Sequence, residues 1–278
     1  MQDQPLGIFV VCDHDLPLRL ATAKRLGLTT AQILAPQAPA RTPEKTAELQ
    51  KAFADAGLTV TVVFCGFEGE SYADIPTVRR SVGLAPQETR TQRLEEAKRI
   101  SDFARALGVD AVGLHIGFIP EDQADGNYKP LVQTVVELCD YCADNGQRLH
   151  LETGQETAEC LLRFLKNVGR GNLGVNFDPA NMILYGAGEP LPALRLLASY
   201  VRSVHCKDAR WAEKPGVEWG IETPLGEGDV DMAKFIATLK EIGYRGPLTI
   251  EREIAGEAQA KDFEKGVRLL RQLAGATN

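Results

Sequence analysis

The chain has 278 residues, of which 44% are hydrophobic and 25% are charged, as is typical of a folded globular protein. Its formal net charge of −7 argues against a nucleic-acid or anionic-membrane partner, because phosphate contacts depend on clustered Lys and Arg. No segment reaches the ~20 apolar residues of a membrane span, and the start lacks the pattern of a signal peptide, so a cytoplasmic protein is expected.

Short apolar runs rich in β-branched residues alternate with segments of helical periodicity along the whole chain. The predicted strands are 7–11, 31–35, 59–64, 110–115, 148–152, 172–177, 201–206 and 247–251. Helical patterns lie between them, as at 16–27, 42–57, 89–108, 131–146 and 231–243, and a last one follows at 262–275. This alternation predicts one α/β domain over 1–278, a single (β/α)8 TIM barrel with its active site at the C-terminal ends of the strands. An open doubly wound sheet is the alternative, but its usual glycine-rich turn is replaced by the acidic VCDHDLP.

Six cysteines are dispersed along the chain, and two of them, Cys139 and Cys142, have CxxC spacing. This pair lies late in a helical pattern rather than at the helix start that would lower a thiol pKa. No second CxxC completes a zinc site. We therefore expect free thiols packed in the interior, as suits a reducing cytoplasm.

Four polar residues stand at or near the ends of the last four predicted strands: Glu152, Asp178, His205 and Glu251. Taken singly, a carboxylate in such a place is commonly a helix N-cap or a solvated loop charge. Together, three carboxylates at one barrel mouth would repel one another without a cation. Three carboxylates and an imidazole suit one divalent metal ion, with Mn²⁺ favoured and Mg²⁺, Co²⁺ or Zn²⁺ as alternatives.

The motifs around these residues resemble those of a known superfamily. They are GLHIGFIP, LHLETG, GVNFDPANMILYG, VRSVHCKDA, PLGEGDVD and LTIERE. As an ordered set they are similar to the sugar phosphate isomerase/epimerase superfamily, the xylose isomerase-like barrels. The resemblance implies that Glu152, Asp178, His205 and Glu251 bind the metal. It also implies that Glu152 and Glu251 form a catalytic acid/base pair acting through an enediolate.

Five further residues are expected to bind the substrate: His115, Asn181, Lys207, Asp208 and Trp211. His115 ends a strand and can hydrogen-bond sugar hydroxyls, and Lys207 can donate to a substrate oxygen or pair with an acidic neighbour. Asn181 stands where ketose 3-epimerases of this superfamily carry a His, and Trp211 stands where they carry an Arg. The KD that follows His205 also occurs in the inosose dehydratase branch.

Other residues near the expected mouth have weaker assignments. His14 follows the first strand, where a solvated loop role is nearly as well supported as a site role. His150 is expected one layer below Glu152, as a core residue or as a support for the metal ligands. The insertion 208–229, with Trp211 and Trp219, is interpreted as a lid, a rim loop or a subunit contact.

These observations favour a metal-dependent isomerase or epimerase of a small ketose or related polyol. A metal-dependent lyase of the inosose- or ketosugar-dehydratase type is the alternative on the same scaffold. A nuclease is disfavoured because the related endonucleases need many histidines for a zinc cluster, and this chain has four. A non-catalytic sugar or metal binder would require an inert acid/base pair. The expected partner is a small molecule, and the sequence leaves open whether the chain forms a homo-oligomer.

Overall fold

The computed structural model describes residues 4–275. Eight parallel strands close into a barrel, in which the last strand pairs with both the first and the seventh. The barrel strands are β1 Leu6–Val11, β2 Thr30–Leu34, β3 Thr59–Phe64, β4 Ala111–Leu114, β5 Arg148–Glu152, β6 Leu173–Phe177, β7 Val201–Cys206 and β10 Leu248–Ile250. The predicted (β/α)8 TIM barrel is confirmed. The single domain over 1–278 stays a prediction, since both chain ends lie outside the described residues.

Helices follow the strands and surround the barrel. They are α1 Leu16–Arg25, α2 Pro43–Asp55, α3 Ile75–Ser81, α4 Gln87–Ala106, α5 Tyr128–Asp144, α6 Ala158–Val168, α7 Pro179–Tyr185, α8 Pro190–Leu196, α9 Met232–Glu241 and α10 Gly256–Gly275. Helix α6 illustrates the local signals: the Thr157 hydroxyl accepts from the Cys160 amide at the start, and Gly169 in the left-handed conformation ends the helix. The short helices α3 and α7 follow β3 and β6 and pack together through Ile75, Val78 and Tyr185, whereas α8 contacts α6 and α9 in the outer layer.

The interior of the barrel contains a polar layer. The amide of Gln32 on β2 donates to Thr249 Oγ1, just before β10 ends, although β1 separates those two strands. In the same way His150 Nδ1 lies 2.9 Å from Ser203 Oγ, with β6 between their strands. Side chains that meet across an intervening strand must point into the barrel. The alternation therefore places these residues directly below the strand ends.

The insertion 208–229 forms a two-stranded antiparallel hairpin, β8 Asp208–Arg210 and β9 Ile221–Thr223. It packs on α7, where the Gly220 amide donates to the Leu184 carbonyl. Gly186 permits this approach: it has φ +66°, and a Cβ there would lie 2.0 Å from the Gly216 nitrogen. The segment interpreted as a lid is thus an ordered hairpin held against the rim.

The two cysteines with CxxC spacing lie in the interior, as predicted. Cys139 and Cys142 are free and fully buried in α5, where they pack in the core. Within residues 4–275, no helix is both long enough and apolar enough to cross a membrane.

Candidate metal centre

The four strand-end residues meet at the mouth of the barrel. One ligand atom from each of Glu152, Asp178, His205 and Glu251 can be chosen so that all lie within 4.8 Å of one another. They come from β5, β7 and the residues directly after β6 and β10. These are neighbouring strands in the order β5-β6-β7-β10, so their carboxyl ends bring the side chains together.

His205 lies at the centre of the cluster. Its Nδ1 is 2.8 Å from Glu152 Oε1 and 3.1 Å from Glu251 Oε2. Asp178 Oδ2 is 3.4 Å from the same nitrogen. Asp178 also serves as the N-cap of α7, because its other oxygen accepts from the Asn181 amide at 3.0 Å. One oxygen of Asp178 therefore caps α7, while the other faces the cluster.

The charges in this cluster are strongly coupled. Burial by itself lowers the pKa of His205, but Glu251 and Glu152 outweigh it and hold that pKa well above its usual value. Burial raises the pKa of Glu251, but His205 and Lys207 outweigh it and hold that pKa well below its usual value. Burial raises the pKa of Asp178 to about 6, against the opposing effect of Lys207. In the protein without metal, the positive charges of His205 and Lys207 therefore offset the negative charges of the neighbouring carboxylates.

The cluster fits a divalent cation. Asp178 Oδ2, His205 Nδ1 and Glu251 Oε2 are buried, and none of them forms a hydrogen bond with any other described residue. Buried polar atoms without a hydrogen bond are costly, unless a bound group satisfies them. Carboxylate oxygens and one imidazole nitrogen match the preferences of Mg²⁺, Mn²⁺ and related ions. Together with Glu152, these residues could hold one such ion.

Gln32 contacts the centre from the opposite side of the barrel, and the sequence did not single it out. Its Oε1 lies 2.9 Å from His205 Nε2, and its Nε2 lies 3.2 Å from Thr249 Oγ1. Gln32 is 1% exposed. A buried Gln in a predicted apolar strand was the available signal, since such an amide requires partners inside the protein.

The carboxylate of Glu152 has polar neighbours on the solvent side. Its Oε2 lies 3.2 Å from His115 Nε2, and its Oε1 accepts from the Asn181 amide group at 3.4 Å. Gln155 in turn contacts both His115 Nδ1, at 3.2 Å, and Tyr185 Oη, at 3.0 Å. The structure thus brings His115 and Asn181 to the centre, and it adds Gln155 and Tyr185, which sequence reasoning missed.

The carboxylate of Glu251 has a different neighbour, the ammonium group of Lys207. Lys207 Nζ lies 3.1 Å from Glu251 Oε2, donates to Asn181 Oδ1 at 3.2 Å and pairs with Glu253. Lys207 is 1% exposed, and burial alone would lower its pKa. Glu251 and Glu253 outweigh burial and hold the pKa of Lys207 well above its usual value, so the side chain stays charged.

Comparison with known proteins shows the family of this barrel. The family model of the xylose isomerase-like TIM barrel matches residues 20–273. The chain belongs to this family. A crystal structure of a xylose isomerase domain protein from Planctomyces limnophilus is 51% identical, covers 97% of both chains and superposes with a TM-score of 0.94.

Two curated relatives are less similar to this chain in sequence than that crystal structure is. An L-ribulose 3-epimerase from Methylomonas sp. (strain DH-1) is 30% identical over 56% of this chain and 54% of its own length. An inosose dehydratase from Lacticaseibacillus casei is 23% identical over 55% of this chain and 56% of its own. The chain therefore spans little more than half the length of these curated relatives.

The other residues that the sequence singled out near the mouth lie in different surroundings. Asp208 is buried, and its two oxygens accept from four backbone amides, those of Ala209, Gly226, Gly228 and Val230. These contacts fix the loop before α9, so we leave Asp208 out of the proposed substrate contacts. Trp211 is half-buried and packs against the main core, and Trp219 stacks edge-on against Tyr185 at 4.7 Å. His14 is 89% exposed beside Asp15, in agreement with a solvated loop role.

Proposed function

We propose that this protein is a metal-dependent sugar isomerase or epimerase that acts on a small ketose or related polyol through an enediolate. Glu152, Asp178, His205 and Glu251 hold one divalent ion, for which Mn²⁺ is our first choice. Glu152 and Glu251 form the acid/base pair. The match to the xylose isomerase-like TIM barrel supports a site at the strand ends, and the L-ribulose 3-epimerase among the relatives supports the reaction class.

The observation that carries this proposal is that two carboxylates of the centre have different neighbours. Glu152 contacts His115, whose side chain is 21% exposed, whereas Glu251 contacts the buried ammonium of Lys207. Both carboxylates lie near the same imidazole nitrogen. An epimerase removes a proton from one face of a carbon and returns a proton to the other face. Two carboxylates in different environments, one on each side of that carbon, can perform these two steps.

The residues of this chain then have separate tasks. A divalent ion bound to the centre would polarise a substrate carbonyl and stabilise the negative charge of an enediolate. One carboxylate of the pair takes the proton from the carbon next to the carbonyl, and the other returns a proton to it. His115 and Asn181 bind hydroxyl groups, since both reach the mouth and both contact Glu152. Lys207 holds Glu251 and Asn181 in place.

A lyase of the inosose- or ketosugar-dehydratase type is the second candidate. It shares removal of the same proton but ends with loss of a hydroxyl group as water. Two observations favour it: Asn181 and Trp211 replace the His and Arg expected of ketose 3-epimerases, and an inosose dehydratase is among the relatives.

A panel of ketoses and inososes, incubated with the Mn²⁺-loaded protein in deuterated water, tests the proposal. An isomerase or epimerase incorporates deuterium at one carbon and approaches an equilibrium of two sugars. A lyase consumes its substrate irreversibly and forms an unsaturated ketone that absorbs in the ultraviolet. If no compound incorporated deuterium and none gave an unsaturated product, with metal bound, this result would contradict both candidates. Full turnover by Glu152→Gln and Glu251→Gln variants would contradict the acid/base assignment.

A further inference from the structure

The imidazole of His205 is held between two layers of the barrel. Its Nδ1 faces the three carboxylates of the candidate metal centre, and its Nε2 lies 2.9 Å from Gln32 Oε1. The ring is fully buried, and Phe9 and Phe64 pack against it with centroids 5.3 and 5.4 Å away. Which nitrogen carries the proton therefore depends on very few neighbours.

The orientation of the Gln32 amide is itself determined. Gln32 Nε2 lies 3.2 Å from Thr249 Oγ1 and 3.5 Å from the Val204 carbonyl oxygen, which accepts but cannot donate. The amide group therefore points toward β7 and β10, which leaves the carbonyl oxygen facing His205. A carbonyl oxygen beside Nε2 requires a proton on Nε2, whatever the state of Nδ1. When a metal displaces the proton of Nδ1, the lone pair of that nitrogen therefore faces the ion.

From this contact chain we propose that Gln32 is a positioning residue for the metal centre, which fixes the Nε2–H tautomer of His205 so that Nδ1 is free to ligate. The inference rests on the metal centre of the proposed function, but not on the identity of the substrate. A glutamine supplies the acceptor without a further negative charge beside three carboxylates and one buried lysine. It thereby orients the ligand at the lowest electrostatic cost.

Imidazole ¹⁵N spectra of the Zn²⁺-loaded protein, which is diamagnetic, test the tautomer directly, since the chain has only four histidines. Calorimetric titration with Zn²⁺ and Mn²⁺ gives the affinity. We expect the Nε2–H pattern for His205 in the wild type. In Gln32→Leu we expect a metal affinity 10- to 100-fold weaker, and therefore a smaller fraction of His205 with the metal-bound Nε2–H pattern at limiting Zn²⁺. Gln32→Glu, which keeps an acceptor, should retain the tautomer.

Ser203→Ala is the matched control, because it removes a buried hydroxyl group from the same polar layer. This hydroxyl contacts His150 and not His205. It should leave the His205 spectrum and the metal affinity unchanged. If Gln32→Leu fails to fold, Thr249→Val, which releases the Gln32 amide, should weaken metal binding by a smaller factor. Wild-type tautomer and affinity in Gln32→Leu, or in Thr249→Val where Leu is not tolerated, would overturn the proposal. Neither readout needs turnover, so a failed substrate panel would leave this test intact.

Discussion

Lys207 Nζ lies 3.1 Å from Glu251 Oε2, and the lysine is 1% exposed. An ammonium group so close to a candidate metal ligand neutralises part of the negative charge that would otherwise attract the ion. The three carboxylates of the centre carry three negative charges, and a divalent ion together with Lys207 supplies three positive ones. Lys207 thus limits the attraction for the metal while it fixes the geometry of Glu251.

Replacement of Lys207 should therefore separate metal binding from turnover. In Lys207→Met we expect Mn²⁺ to bind about tenfold more tightly or better, because a nearby positive charge is removed. Turnover should fall, because Glu251 and Asn181 lose the group that holds them. Calorimetry and steady-state kinetics on the same preparation measure both. Lys207→Gln, neutral but still a donor, should show the tighter binding with a smaller loss of turnover; weaker metal binding in both variants would refute this charge balance.

The substitution Asp178→Asn tests the proposed set of metal ligands without shortening the side chain. Asp178→Asn keeps an oxygen that accepts from the Asn181 amide, so the N-cap of α7 survives. It removes one of three negative ligands, and we expect the affinity for Mn²⁺ to fall by about 100-fold or more. The melting temperature of the metal-free variant should equal or exceed that of the metal-free wild type. A variant that keeps wild-type affinity would show that Asp178 is only a helix cap.

The sequence predicts the barrel and its strand-end cluster because both follow from short-range patterns. Strand and helix periodicities repeat along the chain, and Glu152, Asp178 and Glu251 each directly end or follow a strand. The observed strands differ from the predicted ones by at most one residue at either end, and three of them coincide with the prediction. His115, for example, lies just beyond β4, because pairing with β5 stops at Leu114.

The remaining parts of the site depend on contacts between residues far apart in sequence. Gln32 reaches His205 across the barrel, and Gln155 joins His115 to Tyr185 only because α7 folds back over the mouth. No local pattern encodes such distances. Asp208 is another such case, because its oxygens accept from three backbone amides of the loop before α9. Its expected contact with the substrate stays a prediction.

Glu156 predicts a pH dependence of stability that is separate from the metal centre. It is 5% exposed, and neither oxygen forms a hydrogen bond with another described residue. Burial raises its pKa to about 8, whereas an unfolded chain releases this proton near the ordinary glutamate value of 4.5. The folded protein therefore holds an extra proton between these values, and its free energy of unfolding should fall as pH rises through that window.

Glu156→Gln removes this proton equilibrium while it keeps the shape of the side chain. Relative to wild type, the variant should gain stability steadily from about pH 5 to pH 8, by several kcal/mol in all, since one pKa unit corresponds to about 1.4 kcal/mol. Urea unfolding at a series of pH values measures the difference. Glu159→Gln, at an exposed position in the first turn of α6, is the control and should keep the wild-type slope. A constant difference between Glu156→Gln and wild type across the window would count against a buried, protonated Glu156.

The four-residue metal centre underlies the proposed function and the predictions for the variants at Lys207 and Asp178. Anomalous diffraction at the manganese edge, from crystals of the wild type grown with Mn²⁺, tests it most directly. The account predicts one strong peak at the barrel mouth, about 2.0–2.4 Å from His205 Nδ1 and from oxygens of Glu152, Asp178 and Glu251. Crystals that contain Mn²⁺ at other positions, with no peak among these four side chains, would contradict it.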